Sequence, residues 1–238
     1  MNHTLKSTLA LAALLLGAYS APQPAAAQST AHPPGHSRQP APPALTRPTG
    51  GFAPRNLAGL AQATFAGGCF WAQEEAFEEI KGVRQVVSGY AGGTTQHPTY
   101  EEVAGQRTGH TETVNIYYDP KVVSYQTLAD IFFRASHDPT QLNRQGPDVG
   151  PEYRSAAFYR TPEEKKILEA TIARVNASGE YRGKIVTEVR PLQTFWPAED
   201  YHQGYYRAHP ENGYLNAVSA PKVEHVRRAF PQALKEQL

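Results

Sequence analysis

Cys69 is the only cysteine among 238 residues, so no disulfide can form within the chain. Any fold it adopts must be held by a hydrophobic core of its own. Such a core cannot start early. Residues 28–60 hold Pro33, Pro34, Pro40, Pro42, Pro43, Pro48 and Pro54 among Ala, Ser, Thr and Gly, with little to bury. That stretch reads as a semi-extended, disordered linker. The foldable part is 61–238, about what one domain uses.

The residues before the linker have the pattern of a secretory signal peptide. Lys6 supplies a positive start, Leu9 to Gly17 an apolar run too short to span a bilayer comfortably, and Ala25-Ala26-Ala27 a small-residue cleavage site. Residues 1–27 are expected to be removed, giving an exported protein, periplasmic or secreted, with no stable membrane insertion after cleavage. No cysteine lies there to carry a lipid. All 22 acidic residues but only 19 of the 23 basic ones lie beyond residue 60. The domain is thus mildly acidic, and nucleic-acid binding is not expected.

Apolar periodicity orders the domain. Thr64 to Ala66 reads as a strand end, Trp71 to Ile80 as a helix with Phe77 and Ile80 on one side, and Val83 to Tyr90 as a strand. Residues 91–109 form a long Gly- and Thr-rich loop of the kind that carries function. Glu112 to Tyr118 alternates, so Glu112, Val114, Ile116 and Tyr118 share one face. Ser124 caps a helix that turns Leu128, Ile131, Phe132 and Ala135 inward. A second long loop, 136–154, precedes a strand at 155–159. Thr161-Pro162-Glu163-Glu164 is a capping box opening another helix, and 185–189 is the last expected strand. The remainder, rich in aromatics and turn formers, is expected to wrap the core as coil and short helix. Irregular alternation of strands and helices gives an α+β class, a two-layer α/β sandwich around a mixed sheet with a ferredoxin-like core.

The chemistry gathers at Gly67-Gly68-Cys69. Two glycines permit the tight backbone that sets a cysteine at a helix start, where unpaired amides and the helix dipole favour a thiolate. The plain alternative is a buried small hydrophobe. Phe70 and Trp71 follow directly and cannot both face one core, so at least one is expected to line a pocket over the sulfur. A substrate with a small apolar group beside the attacked atom would suit it. Glu112, at the end of a buried face, should have its pKa raised by desolvation and so be poised to donate a proton near neutral pH; an exposed strand-end glutamate is the equal alternative. Two other classes stay open on these residues. His97, His110, His137 and His202 are raw material for a Cys-His acyl transferase, although none has a recognisable spacing, and the aromatic loops could serve a non-catalytic binding module. Metal catalysis is not expected, since the histidines lack ligand spacing and one cysteine cannot build a thiolate site.

A longer series of motifs narrows these options. Gly68-Cys69-Phe70-Trp71, Ser88-Gly89-Tyr90-Ala91-Gly92-Gly93, Pro98-Thr99-Tyr100-Glu101-Glu102-Val103, Thr108-Gly109-His110-Thr111-Glu112, His137-Asp138-Pro139-Thr140, Arg144-Gln145-Gly146-Pro147-Asp148-Val149-Gly150, Tyr153-Arg154-Ser155 and Ala198-Glu199-Asp200-Tyr201-His202-Gln203 occur in that order. Together they resemble the A-type peptide methionine sulfoxide reductases over nearly all of 61–222. The resemblance implies that Cys69 attacks the sulfur of methionine sulfoxide, that Phe70 and Trp71 receive its methyl group, and that Glu112 protonates the departing oxygen. It further implies that Tyr100 and Tyr153 hydrogen-bond that oxygen, that Asp148 orients the polar network, and that Tyr205 and Tyr214 approach the pocket. His202 has the family's position, with a structural hydrogen bond as its expected role. Preference for the S epimer and oxidised proteins as substrates come from the resemblance alone.

The chain departs from many such proteins at Gly213-Tyr214-Leu215-Asn216, where leucine stands in place of a second cysteine. The sulfenic acid left on Cys69 is therefore expected to be cleared by an external thiol, from a thioredoxin-fold reductant or a small molecule, with no bound cofactor. A monomer is expected.

Overall fold

The computed structural model describes residues 56 and 58–236. The signal peptide at 1–27 and most of the linker at 28–60 lie outside the described residues.

The elements run β1 (Ala61–Gly67), α1 (Phe70–Glu78), β2 (Val83–Ala91), α2 (Tyr100–Ala104), β3 (Thr111–Tyr118), α3 (Tyr125–Ile131), β4 (Arg144–Gln145), β5 (Asp148–Val149), β6 (Ser155–Tyr159), α4 (Pro162–Ser178), β7 (Glu188–Pro191), β8 (Phe195–Pro197), α5 (Tyr205–Ala208) and α6 (Ala220–Ala229). Six strands form one sheet in the order β7-β6-β1-β3-β2-β8. Only β6 and β7 pair in parallel, which makes the sheet mixed. Its central four strands, in the order β6-β1-β3-β2, have the expected ferredoxin-like arrangement.

Period-two alternation decides the two faces. Ala63 and Phe65 of β1, Val86 and Tyr90 of β2, and Val114, Ile116 and Tyr118 of β3 share one core with Phe77 and Ile80, Leu128 and Phe132, Leu168 and Val175, and Val223 and Val226 from the helical side. Phe65 stacks on Phe132 with ring centroids 4.6 Å apart. The opposite face carries a smaller cluster of Ala66, Ala91, Ala156 and Phe158, beside a polar patch in which Thr64 donates to Asn115 and Arg160 donates to both.

Several boundaries differ from the sequence expectation. The first long loop contains α2, capped by Thr99, whose hydroxyl accepts from Glu102 N–H while the Glu102 carboxylate accepts from Thr99 N–H. The second contains the β4–β5 hairpin. At Thr161 the box is half formed: its hydroxyl accepts from Glu164 N–H, but the Glu164 carboxylate takes Arg160 N–H instead. The last expected strand is displaced to Glu188–Pro191 because Val186 N–H bonds to Pro139 O in the second loop, not to the sheet. Beyond it, β8 and α6 are regular elements where mainly coil was expected. No helix among the described residues is long and apolar enough to cross a membrane.

Candidate active site

Cys69 occupies the junction of β1 and α1, immediately before the first helical residue. Gly68 makes the turn at φ +85°, and a Cβ there would lie 2.5 Å from Gln145 Cβ, so only glycine fits. Gln145 is itself pinned, its amide accepting from Asp138 N–H and donating to Asp138 O at 3.1 and 3.0 Å. The junction is thereby clamped by a loop residue far away in sequence.

Cys69 is 4 % exposed. Burial, and next the Glu112 carboxyl, pushes its thiol up from 9.0 to about 12. This overturns the expectation that the helix start favours a thiolate. The physical reason is desolvation of the sulfur, and the first amide of α1, Phe70 N–H, donates to Glu112 Oε2 at 3.0 Å. Tyr214 hydrogen-bonds Cys69 and donates its phenol proton to Asp148 Oδ2 at 2.8 Å.

Glu112 sits on β3 opposite Tyr90 of β2, at the edge of the helix-facing core. Burial raises its carboxyl from 4.5 to about 8, against the opposing Phe70 amide, and the neighbouring Asp148 and Glu152 raise it further. At pH 7 it holds a proton. Tyr100, on the first turn of α2, and Tyr153, on the short turn before β6, are half-buried. Burial, then Glu112 and Cys69, holds the Tyr100 phenol above the usual range, and the charge of Glu112, then burial, does so for Tyr153. Both stay O–H donors at any ordinary pH.

The aromatic pair divides as its spacing requires. Phe70 is buried in the core and Trp71 is half-buried. Trp71 Nε1–H donates to His202 Nδ1 at 3.1 Å, and its ring stacks on Tyr205 at 4.0 Å with Tyr214 edge-on at 6.1 Å. The His202 ring lies against Phe70 and Tyr100 at 4.9 and 4.6 Å, and burial drives its pKa down to about 3. It is a neutral strut carrying its proton on Nε2. Tyr205 packs between the Trp71 and His209 rings.

Two charged residues at the site have no signal in spacing or periodicity. Glu199 accepts from Tyr90 O–H and from Tyr100 N–H, both at 2.9 Å, fixing the start of α2. Lys222, from α6, brings Nζ to 3.8 Å from Asp148 Oδ2. No histidine hydrogen-bonds Cys69 among the described residues: His110 engages Gly93 N–H and Thr95 O, and His137 Nδ1 donates to Phe132 O.

A cysteine faced by a protonated carboxyl and phenol donors, without a histidine base, sets this site among thiol-dependent oxidoreductases and apart from acyl transferases. Comparison with known proteins gives the particular family. Residues 61–234 match the family model described as peptide methionine sulfoxide reductase. Peptide methionine sulfoxide reductase MsrA of Natronomonas pharaonis is 49% identical over 172 residues, 72% of this chain and 96% of that protein. The Deinococcus radiodurans protein of the same name is 43% identical over 204 residues, 86% and 98% respectively. Among solved structures, reduced Mxr1 from Saccharomyces cerevisiae superposes with a TM-score of 0.60 at 33% identity, covering 65% of this chain and 88% of that one. Methionine sulfoxide reductase A of Corynebacterium diphtheriae gives 0.58 at 37%, covering 65% and 77%. The chain belongs to the peptide methionine sulfoxide reductase family, A type.

Proposed function

We propose that Cys69 attacks the sulfur of methionine sulfoxide, as the S epimer, free or in oxidised proteins, and takes its oxygen. The observation that carries this reading is the Glu112 carboxyl, held protonated at neutral pH on the Phe70 amide beside the thiol. Glu112 gives that proton to the sulfoxide oxygen as the S–O bond weakens, and receives the Cys69 proton in exchange. The departing hydroxyl then bonds to the Cys69 sulfur as the S–S bond to the substrate breaks, so Cys69 is oxidised to a sulfenic acid, methionine sulfur is reduced to the sulfide, and Glu112 ends protonated again. Phenol donors on Tyr100 and Tyr153 meet the oxygen as its charge grows, where fixed donors help most. Asp148 orients Tyr214, and Phe70 with Trp71 takes the methyl group, Tyr205 bracing Trp71.

An external thiol then attacks the sulfenic acid, releasing water and leaving a mixed disulfide that a second thiol resolves. A thioredoxin-fold reductant or a small thiol fits that role, and the protein works as a monomer without bound cofactor. The signal-peptide pattern of residues 1–27 supports a reaction outside the cytoplasm, in the periplasm or beyond. N-terminal sequencing of protein recovered from its host should find cleavage after Ala27, and an intact Met1 would defeat that placement.

Turnover of separate R and S epimers of a methionine sulfoxide peptide, with several thiol donors, tests the reaction. Reduction of the S epimer, lost in Cys69→Ser, is expected. If neither epimer is reduced with any thiol, the reading fails.

A further inference from the structure

Lys222 enters the site from the first turn of α6. Its Nζ is buried and hydrogen-bonded to no atom among the described residues. Its nearest carboxylate oxygen, Asp148 Oδ2, is 3.8 Å away and already accepts the Tyr214 proton. The same ammonium lies 3.8 Å from where a Cβ of Gly68 would stand, directly over the glycine that precedes the nucleophile. A buried ammonium with no hydrogen-bond partner is costly. An opposing charge that develops only during the reaction would offset that cost.

We propose that Lys222 is the counter-cation of the reacting sulfur, balancing the negative charge on Cys69 as its proton leaves and the S–S contact with substrate forms. The inference rests on Cys69 being the nucleophile of the reaction above. The titratable groups around the pair are the Glu112 acid of β3, Asp148 of β5, Glu152 before β6 and the Tyr214 phenol, while His137 beyond α3 is neutral, burial holding its pKa down to about 3. Lys222 opposes burial at both Cys69 and Glu112, favouring the ionised form of each. Lys222 is therefore a positioning charge for both halves of the proton exchange.

Alkylation of Cys69 by iodoacetamide between pH 7 and 9 reports the thiolate fraction without involving the sulfoxide reaction. Lys222→Met keeps the stem and removes the charge; Lys222→Arg keeps the charge and changes the stem. Lys222→Met should alkylate about tenfold more slowly, the effect of about one pKa unit, and Lys222→Arg should stay within about threefold of wild type. The basic limb of the single-turnover pH profile with a methionine sulfoxide peptide, set by Glu112, should move up by about one unit in Lys222→Met and return in Lys222→Arg. Wild-type alkylation by Lys222→Met, or equal slowing in Met and Arg, overturns the proposal and leaves a packing role. Lys222→Gln gives the same comparison if the methionine variant does not fold. If alkylation responds as expected while wild type reduces no sulfoxide, the lysine assignment stands and the proposed reaction falls.

Discussion

Glu112 is the residue where stability and chemistry oppose each other. A carboxyl whose folded pKa is raised is stabilising to the fold only while protonated. Below about 4.5 both states hold the proton and nothing is lost; between there and about 8 the unfolded chain ionises while the folded one does not, so stability falls as pH rises. The slope is ~1.4 kcal/mol per pH unit over that window. Glu112→Gln removes the penalty and keeps the Phe70 N–H satisfied through its amide oxygen. Denaturant unfolding should find it matching wild type at pH 4 and more stable by a few kcal/mol at pH 9, while sulfoxide reduction at pH 7 falls by about 10²-fold or more. Equal stability at both pH values would mean that Glu112 titrates as an exposed carboxylate. The raised acid was half legible in sequence, because Glu112 ends an alternating buried face, a pattern that an exposed strand end fits equally well. The raised thiol could not: the amide expected to serve Cys69 is taken by a carboxyl from β3, 42 residues away.

At the level of elements, legibility followed the range of the forces that make each one. The helices α3 and α4 start where Ser124 and Thr161 cap them, since a cap is a bond between residues three apart. The short helix α2 was equally legible in Thr99-Tyr100-Glu101-Glu102, a capping box hidden in a loop whose glycines and threonines drew the reading away from it. The strands β7 and β8 were not legible. Both are edge strands defined by their partners, β7 by β6 and β8 by β2, and neither shows alternation of its own. Gly68 shows the same division: the glycine is plain in the sequence, but Gln145, the side chain that forbids anything larger, is brought to it by the β4–β5 hairpin. Glu199 and Lys222 reach the site from the C-terminal wrap, and only the topology places them there. The core of the fold and the nucleophile were thus local information, whereas the electrostatics around the nucleophile were not.

For the whole molecule the decisive fact is that the chain has a single cysteine, which in the proposed cycle is both oxidised and recovered. The position where two-cysteine relatives are expected to carry a resolving thiol is Leu215, 2 % exposed on the turn that holds Tyr214. That residue is instead a buried leucine next in sequence to Tyr214, which hydrogen-bonds Cys69 and Asp148. In the proposed cycle the oxidised sulfur stays where it formed, and a reducing thiol must reach it where the substrate did. Without reductant, a methionine sulfoxide peptide should yield one methionine per chain in a single burst and then stop. Mass spectrometry should then find one added oxygen on Cys69, trappable by a sulfenic-acid reagent. The burst should be the same per chain at every protein concentration, because each molecule completes its half-reaction alone. A burst that shrinks on dilution, accompanied by a disulfide-linked dimer as the obligatory product, would mean that two chains share the oxidation, and the one-cysteine cycle would have to be abandoned.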